Sequence, residues 1–191
     1  MTRWPPWLSV RGQIGSSGER RASYDLLLRT EELPEAGWDV RFERSWRAGS
    51  SGRGRKYEET RRAFKAGLFA VARGFQKDQV RDLVFSVAPY VSAEDAHMFM
   101  PKWYRRDAIT RRVKGERVIL DPQVTGLSDV LMLELYTSVA RSKTMVVLGR
   151  VAHVVMSATL TTRDEDDSCD DVAMFASLQA RKIRQQLKIG W

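Results

Sequence analysis

The stretch "TMVVLGRVAHVVMSATLTTRDEDDSCDDVAMFASLQARKI", Thr144–Ile183, passes from a Val- and Thr-rich apolar run, through a cluster of acids, into a segment with helical spacing. β-Branched residues favour the pleated, half-buried surface of a strand, so the first half reads as a long strand. In the second half Val172, Ala176, Ala180, Ile183 and Leu187 follow one another at steps of four, four, three and four, which lines one stripe of a helix. A strand followed by a one-faced helix implies an α+β domain, because the stripe must bury itself against a sheet.

The helix begins at "SCDDVAMFA", Ser168–Ala176, and a near copy, "SAEDAHMFM", occupies Ser92–Met100. Ser92 and Ser168 are expected to be N-caps, with Asp95 and Asp171 three positions later completing capping boxes in which Asp stands for the usual Glu. The repeat then reads as hairpin, capped turn and helix used twice. Its carboxylates have a structural task before any catalytic one.

Outward from there, "DVLMLELYTSVA" (Asp129–Ala140) and Thr144–Thr162, joined by "RSK", are predicted to be the two long strands of a central hairpin, with His153 alternating inside the second. "LFAVARGFQ" and "VRDLVFSVAPYV" flank the polar "KDQ" and predict an earlier hairpin, the competing reading being a continuous helix over Tyr57–Phe75. "WDVRFERSW" sets Trp38, Val40 and Phe42 in alternation with Asp39, Arg41 and Glu43, the period of a half-buried strand, after the turn "LPEAG". "RAGSSGRGRK" is a loop, "YEETRRAF" after it is helical up to Gly67, and Pro101 ends the helix that starts at Ser92. Residues 1–21 lack periodicity and form a basic N-terminal arm, leaving 22–191 as a single domain.

The chain has 191 residues, 43% of them hydrophobic, and 32 Lys and Arg against 24 Asp and Glu, a net charge of +8. That balance favours anionic partners, although a GC-rich coding bias also enriches Arg. The single Cys169 excludes an internal disulfide and a Cys-rich zinc site. No apolar run has the length of a signal peptide or membrane span, so a cytoplasmic location is expected.

"LPEAGWDVRFERSW", "VFSVAPYVSAEDA" and "VVLGRVAHVVMSA" leading to "DVAMFASLQARKI" together resemble small actinobacterial proteins of the PsbP-like sandwich type, similar to the extracellular sensor domains of mycobacterial receptor kinases and to related lipoproteins. The resemblance covers Leu26–Ile189 as an order of elements. It implies an antiparallel sheet built from hairpins with flanking helices, an α/β/α arrangement, and a domain used for binding rather than catalysis. The signal peptide and cysteines common in the extracellular members are missing from this sequence.

Candidate chemistry is sparse. Gly49–Gly54 has the spacing of a phosphate loop, but Arg55 takes the place of its Lys and Lys56 that of its magnesium-binding hydroxyl, and "RVILD" ending at Asp121 only imitates the second acidic motif. His97 and His153 are far apart in sequence. The acids around Cys169 oppose a thiolate and lack the Gly and terminal Glu of a calcium loop. No cofactor or metal is implied. Two basic segments carry the anion-contact candidates: Arg53, Arg55, Lys56, Arg61 and Arg62, then Lys102, Trp103, Tyr104, Arg105, Arg106, Arg111, Arg112 and Lys114. Arg beside aromatics contacts phosphates and stacks bases. The reading is a noncatalytic interaction or ligand-binding module with a protein or small-molecule partner. A nucleic-acid-binding protein is the alternative, and a nucleotide-binding enzyme using Gly49–Lys56 ranks below both.

Overall fold

A computed structural model of the chain describes residues 23–47, 69–90, 92–98, 100, 116–119, 122–137, 141–163 and 167–189. Its centre is a seven-stranded antiparallel sheet of β1 (Asp39–Arg47), β2 (Phe69–Lys77), β3 (Arg81–Pro89), β4 (Glu116–Ile119), β5 (Ser128–Thr137), β6 (Ser142–Val151) and β7 (Val154–Thr162), in the order β1-β2-β3-β7-β6-β5-β4. The α+β class read from Thr144–Ile183 is the one observed. The arm expected over 1–21, the Gly-rich loop, the helix over 57–64, Gly67, Pro101 and Asp121 lie outside the described residues.

The first predicted hairpin is present as β2 and β3, and Phe69–Phe75 is strand rather than a continuation of a helix. Asp78 and Gln79 both take positive φ, 51° and 56°, as a type I′ turn requires, and the Val80 N–H closes it on the Lys77 carbonyl. The second hairpin needs correction. Thr144–Thr162 is not one strand: it folds back at Ala152 and His153 into β6 and β7, with Val151 opposite Val154. Ala152 has φ 51°, and His153 sits in this turn instead of alternating within a strand. A run of nineteen residues is too long for an ordinary strand, and its turn carries none of the Gly, Asn or Asp that mark a hairpin. The split makes β7 the middle strand and moves β5 next to the edge strand β4.

Alternation in β1 is also interrupted. Val40 stands opposite Phe75 and Phe42 opposite Gly74, so one extra residue is accommodated at Arg41 and the two apolar side chains fall on opposite faces. Val40, on the edge strand of the sheet, is 50% exposed. The Phe42 ring lies over Gly74, where an added Cβ would come within 2.3 Å of it.

Cross-strand neighbours share a face, which separates the sheet's two surfaces. On one, Val71, Phe75, Leu83, Phe85, Val147, Met156, Ala158 and Leu160 bury against the C-terminal helix (Cys169–Leu187), which contributes Val172, Phe175, Ala176, Ala180 and Ile183. On the other, Ala96 and Met100 of the short helix over 93–98 and beyond pack with Tyr90, Leu148 and Val155. Leu26, Leu27 and Leu28 also join the larger core, ahead of a 3-10 turn at Thr30–Glu32.

Both serines cap as expected. The Ser168 hydroxyl accepts from the Asp170 N–H at 3.2 Å, and Asp171 Oδ2 accepts from the Ser168 N–H at 2.6 Å. The Asp95 N–H donates to Ser92 Oγ at 3.0 Å, and Ser92 Oγ donates to Asp95 Oδ2 at 2.8 Å. Ser168→Ala is therefore expected to lower stability by about 0.5–2 kcal/mol and Ser168→Gly by less, read from thermal denaturation.

Candidate functional site

The hairpin registers draw a line of polar residues across the sheet. Lys77 on β2 faces Arg81 on β3, Arg81 faces Thr162 on β7, and Thr162 faces Lys143 on β6. All four lie on the C-terminal helix side, at the end where the helix begins. There the turn carrying Glu35 and Trp38 meets the connection into Ser168.

Arg81 organises this corner. Its Nη1 donates to Glu35 Oε2 at 2.8 Å, while Lys77 Nζ donates to the same oxygen at 2.7 Å. Arg81 Nη2 pairs with Asp167 Oδ1 at 2.8 Å, and Lys143 Nζ donates to the Asp167 backbone carbonyl. The guanidinium carbon lies 5.3 Å from the Trp38 ring centroid and Lys77 Nζ 6.0 Å from it, within the range of cation–π attraction. Phe175 meets the indole edge-on, with centroids 5.9 Å apart. Trp38 is 2% and Asp167 7% exposed.

Three polar atoms in this cluster are buried and have no hydrogen-bond partner among the described residues: Trp38 Nε1, Arg81 Nε and Asp167 Oδ2. A buried polar group without a partner costs about 1–3 kcal/mol, so three together in one contact network call for a partner that the described residues do not supply, a water or a ligand.

The Lys77 hydrogen bond holds the Glu35 carboxyl below its usual range, against a smaller opposing effect of burial and with further help from Arg81. A carboxyl whose folded pKa is depressed contributes stability above its unfolded pKa of about 4.3 and loses it as pH falls through the lower folded value. The melting temperature is expected to hold from neutrality to about pH 5 and to drop below about pH 4, and Glu35→Gln should blunt that drop.

A second polar group lies on the opposite face. Asp129 takes φ 53° where β5 bulges against β6, and its Oδ2 accepts from Arg150 Nε and lies 2.7 Å from His97 Nδ1. Burial pushes the Asp129 carboxyl up, but the bonds to Arg150 and His97 outweigh it and leave the carboxyl lowered. This ties the short helix over 93–98 to the sheet, since Arg150 is further anchored on the Ala152 carbonyl at 3.1 Å.

Arg53, Arg55, Lys56, Arg61, Arg62 and Lys102 to Lys114 all lie outside the described residues. Cys169 opens the C-terminal helix, with Sγ 3.5 Å from Glu134 Oε2. Among the described residues no group of three His, Cys, Asp or Glu side chains could hold a metal, and no helix is long and apolar enough to cross a membrane. Sequence reasoning missed the Arg81 cluster because its members are spread from Glu35 to Asp167 and are joined only by strand register. The one signal available was a Lys and an Arg on either side of a hairpin turn, at Lys77 and Arg81.

No protein-family model matches the chain, and no curated protein matches it. Among solved structures it is similar to the extracellular domain of PknH from Mycobacterium tuberculosis, with a TM-score of 0.54 and 8% identity, over 88% of this chain and 96% of that one. What the two share is the fold. An uncharacterized protein of Mycobacterium smegmatis, the Rv0999 ortholog, matches with a TM-score of 0.41 and 8% identity, over 78% of this chain and 90% of that one.

Proposed function

We propose that the chain is a noncatalytic ligand-binding module of PsbP-like α+β type, with its ligand site at the Trp38–Arg81–Asp167 cluster. The observation that carries this reading is the set of three unpartnered, buried polar atoms on side chains already locked by ion pairs and ring contacts. Side chains fixed in this way keep unused hydrogen-bonding capacity in place for something that is not part of the chain. Lys77 and Arg81 are engaged with carboxylates and Lys143 with the Asp167 backbone carbonyl, an arrangement suited to holding a ligand rather than transferring protons to it. Likeness in fold to the extracellular domain of PknH supports a binding role by analogy alone.

The test is a panel of small metabolites, scored for thermal stabilisation of the protein and for chemical turnover. Saturable stabilisation without turnover is expected. Turnover of any compound that stabilises the protein would overturn the noncatalytic reading in favour of an enzyme. The nucleic-acid alternative retains only its sequence basis, because its residues lie outside those described.

A further inference from the structure

We infer that residues 30–37 form a strap that opens locally, with the rest of the domain folded, and uncovers the Trp38–Arg81–Asp167 cluster; as a route for a ligand it rests on the ligand-binding reading above. Trp38 Nε1, Arg81 Nε and Asp167 Oδ2 are all buried, so nothing reaches them while every surrounding segment stays in place. Those segments are not held alike. Strands β2, β3, β6 and β7 are tied by continuous backbone ladders, and the C-terminal helix buries Val172, Phe175, Ala176, Ala180 and Ile183 on them. Asp167 is fastened by Arg81 and by Lys143 on its backbone carbonyl, directly before the Ser168 cap. Upstream, Leu26, Leu27 and Leu28 lie in the core, with the Leu28 N–H and the Leu26 carbonyl bonded to the buried Gln179 amide.

Residues 30–37 have no such anchorage. Their backbone–backbone bonds, from the Glu32 N–H to the Arg29 carbonyl and from the Leu33 N–H to the Thr30 carbonyl, are local to the 3-10 turn, and among the described residues none reaches the sheet or the helix. What holds the segment is the Leu33 side chain in the core and two carboxylates, Glu32 on Lys182 and Glu35 on Lys77 and Arg81. Burial raises the Glu32 carboxyl, but the bonds from Lys182 and the Arg29 N–H outweigh it, and the Lys77 bond lowers Glu35, so both tethers are charged and engaged at neutral pH. Glu31, Pro34, Ala36 and Gly37 are exposed. A segment with few buried apolar contacts and side-chain tethers in place of a backbone ladder belongs to the low-stability end of a fold. Gly37 supplies the hinge next to Trp38: its φ of 90° is one that glycine adopts at little cost, and it can absorb a change of backbone angle where the strap runs into β1.

The experiment is amide hydrogen exchange on the full chain at neutral pH, followed residue by residue by NMR in wild type, in Glu35→Gln and in the control Glu31→Gln, whose exposed side chain makes neither tether. In wild type the Glu32 and Leu33 amides are expected to be protected at least about ten-fold less than the Leu28 amide, which is released only when the core opens. Glu35→Gln removes two partly exposed ion pairs, so protection at Glu32 and Leu33 should fall by a further factor of about five while Leu28 is unchanged, and Glu31→Gln should behave as wild type. Equal protection at all three amides in wild type, no change in Glu35→Gln, or a loss there as large at Leu28 as at Glu32 and Leu33, would show that the segment opens only with the whole domain, and the strap inference fails. No ligand enters this measurement, so an empty metabolite panel would remove the ligand-binding reading and leave the exchange result to decide the strap.

Discussion

Gln179→Ala is expected to be among the most damaging single substitutions in the described part of the domain, with a loss of about 3–6 kcal/mol. Gln179 is a fully buried polar side chain in the middle of the C-terminal helix. Its Oε1 accepts from the Leu28 N–H at 3.0 Å and its Nε2 donates to the Leu26 carbonyl at 2.6 Å, so one amide clamps the segment Leu26–Leu28 as a neighbouring strand would. Truncation leaves both backbone groups buried and unbonded, each worth about 1–3 kcal/mol, and opens a cavity where the side chain stood. Gln179→Glu should be comparably harmful, because a carboxylate cannot donate to the Leu26 carbonyl and would be buried without a cation. Urea denaturation is the measurement; a loss below about 1 kcal/mol for Gln179→Ala would show that Leu26–Leu28 is not held by this amide.

Phe175→Ala should cost about 3–5 kcal/mol, because the ring is fully buried between the helix and the sheet and meets Trp38 edge-on. The adjacent Met174 offers an internal control. It is 38% exposed, so Met174→Ala should change stability by only about 0.5 kcal/mol. Equal losses at the two positions would mean that the helix is rotated relative to the face described above.

The pairing of Met174 with Phe175 shows what local pattern reveals and what it leaves hidden. Spacing identified Val172, Ala176, Ala180, Ile183 and Leu187 as the buried stripe; the first four are fully buried and Leu187, in the last turn, only partly. It passed over Phe175, which widens the stripe, and Gln179, whose polarity argues for solvent until its two partners on Leu26 and Leu28 are seen. The serine caps were legible because a cap and its acid are only three residues apart. The turn at Ala152 and His153 was not, since neither residue advertises a reversal and the apolar run continues through it. Val40 and Phe42 look like one face of a strand, and only their registry with Phe75 and Gly74 separates them. The candidate site was the least legible feature. Trp38, Arg81 and Asp167 lie in three separate segments, and nothing in any one of them signals that Arg81 Nε, Trp38 Nε1 and Asp167 Oδ2 are left without partners.

The central claim is that the Arg81–Asp167 pair is kept for binding and not for stability, and the unfolding free energy of the double variant Arg81→Met, Asp167→Leu tests it most directly. Apolar replacement of a buried ion pair is often neutral or stabilising by about 1–4 kcal/mol, and here it would also remove two polar atoms that have no partner among the described residues. The expected result is a double variant as stable as wild type or more so, in which ligand-induced stabilisation is lost. A loss of more than about 3 kcal/mol would contradict the claim, since it would mean that the cluster is a structural brace of the fold.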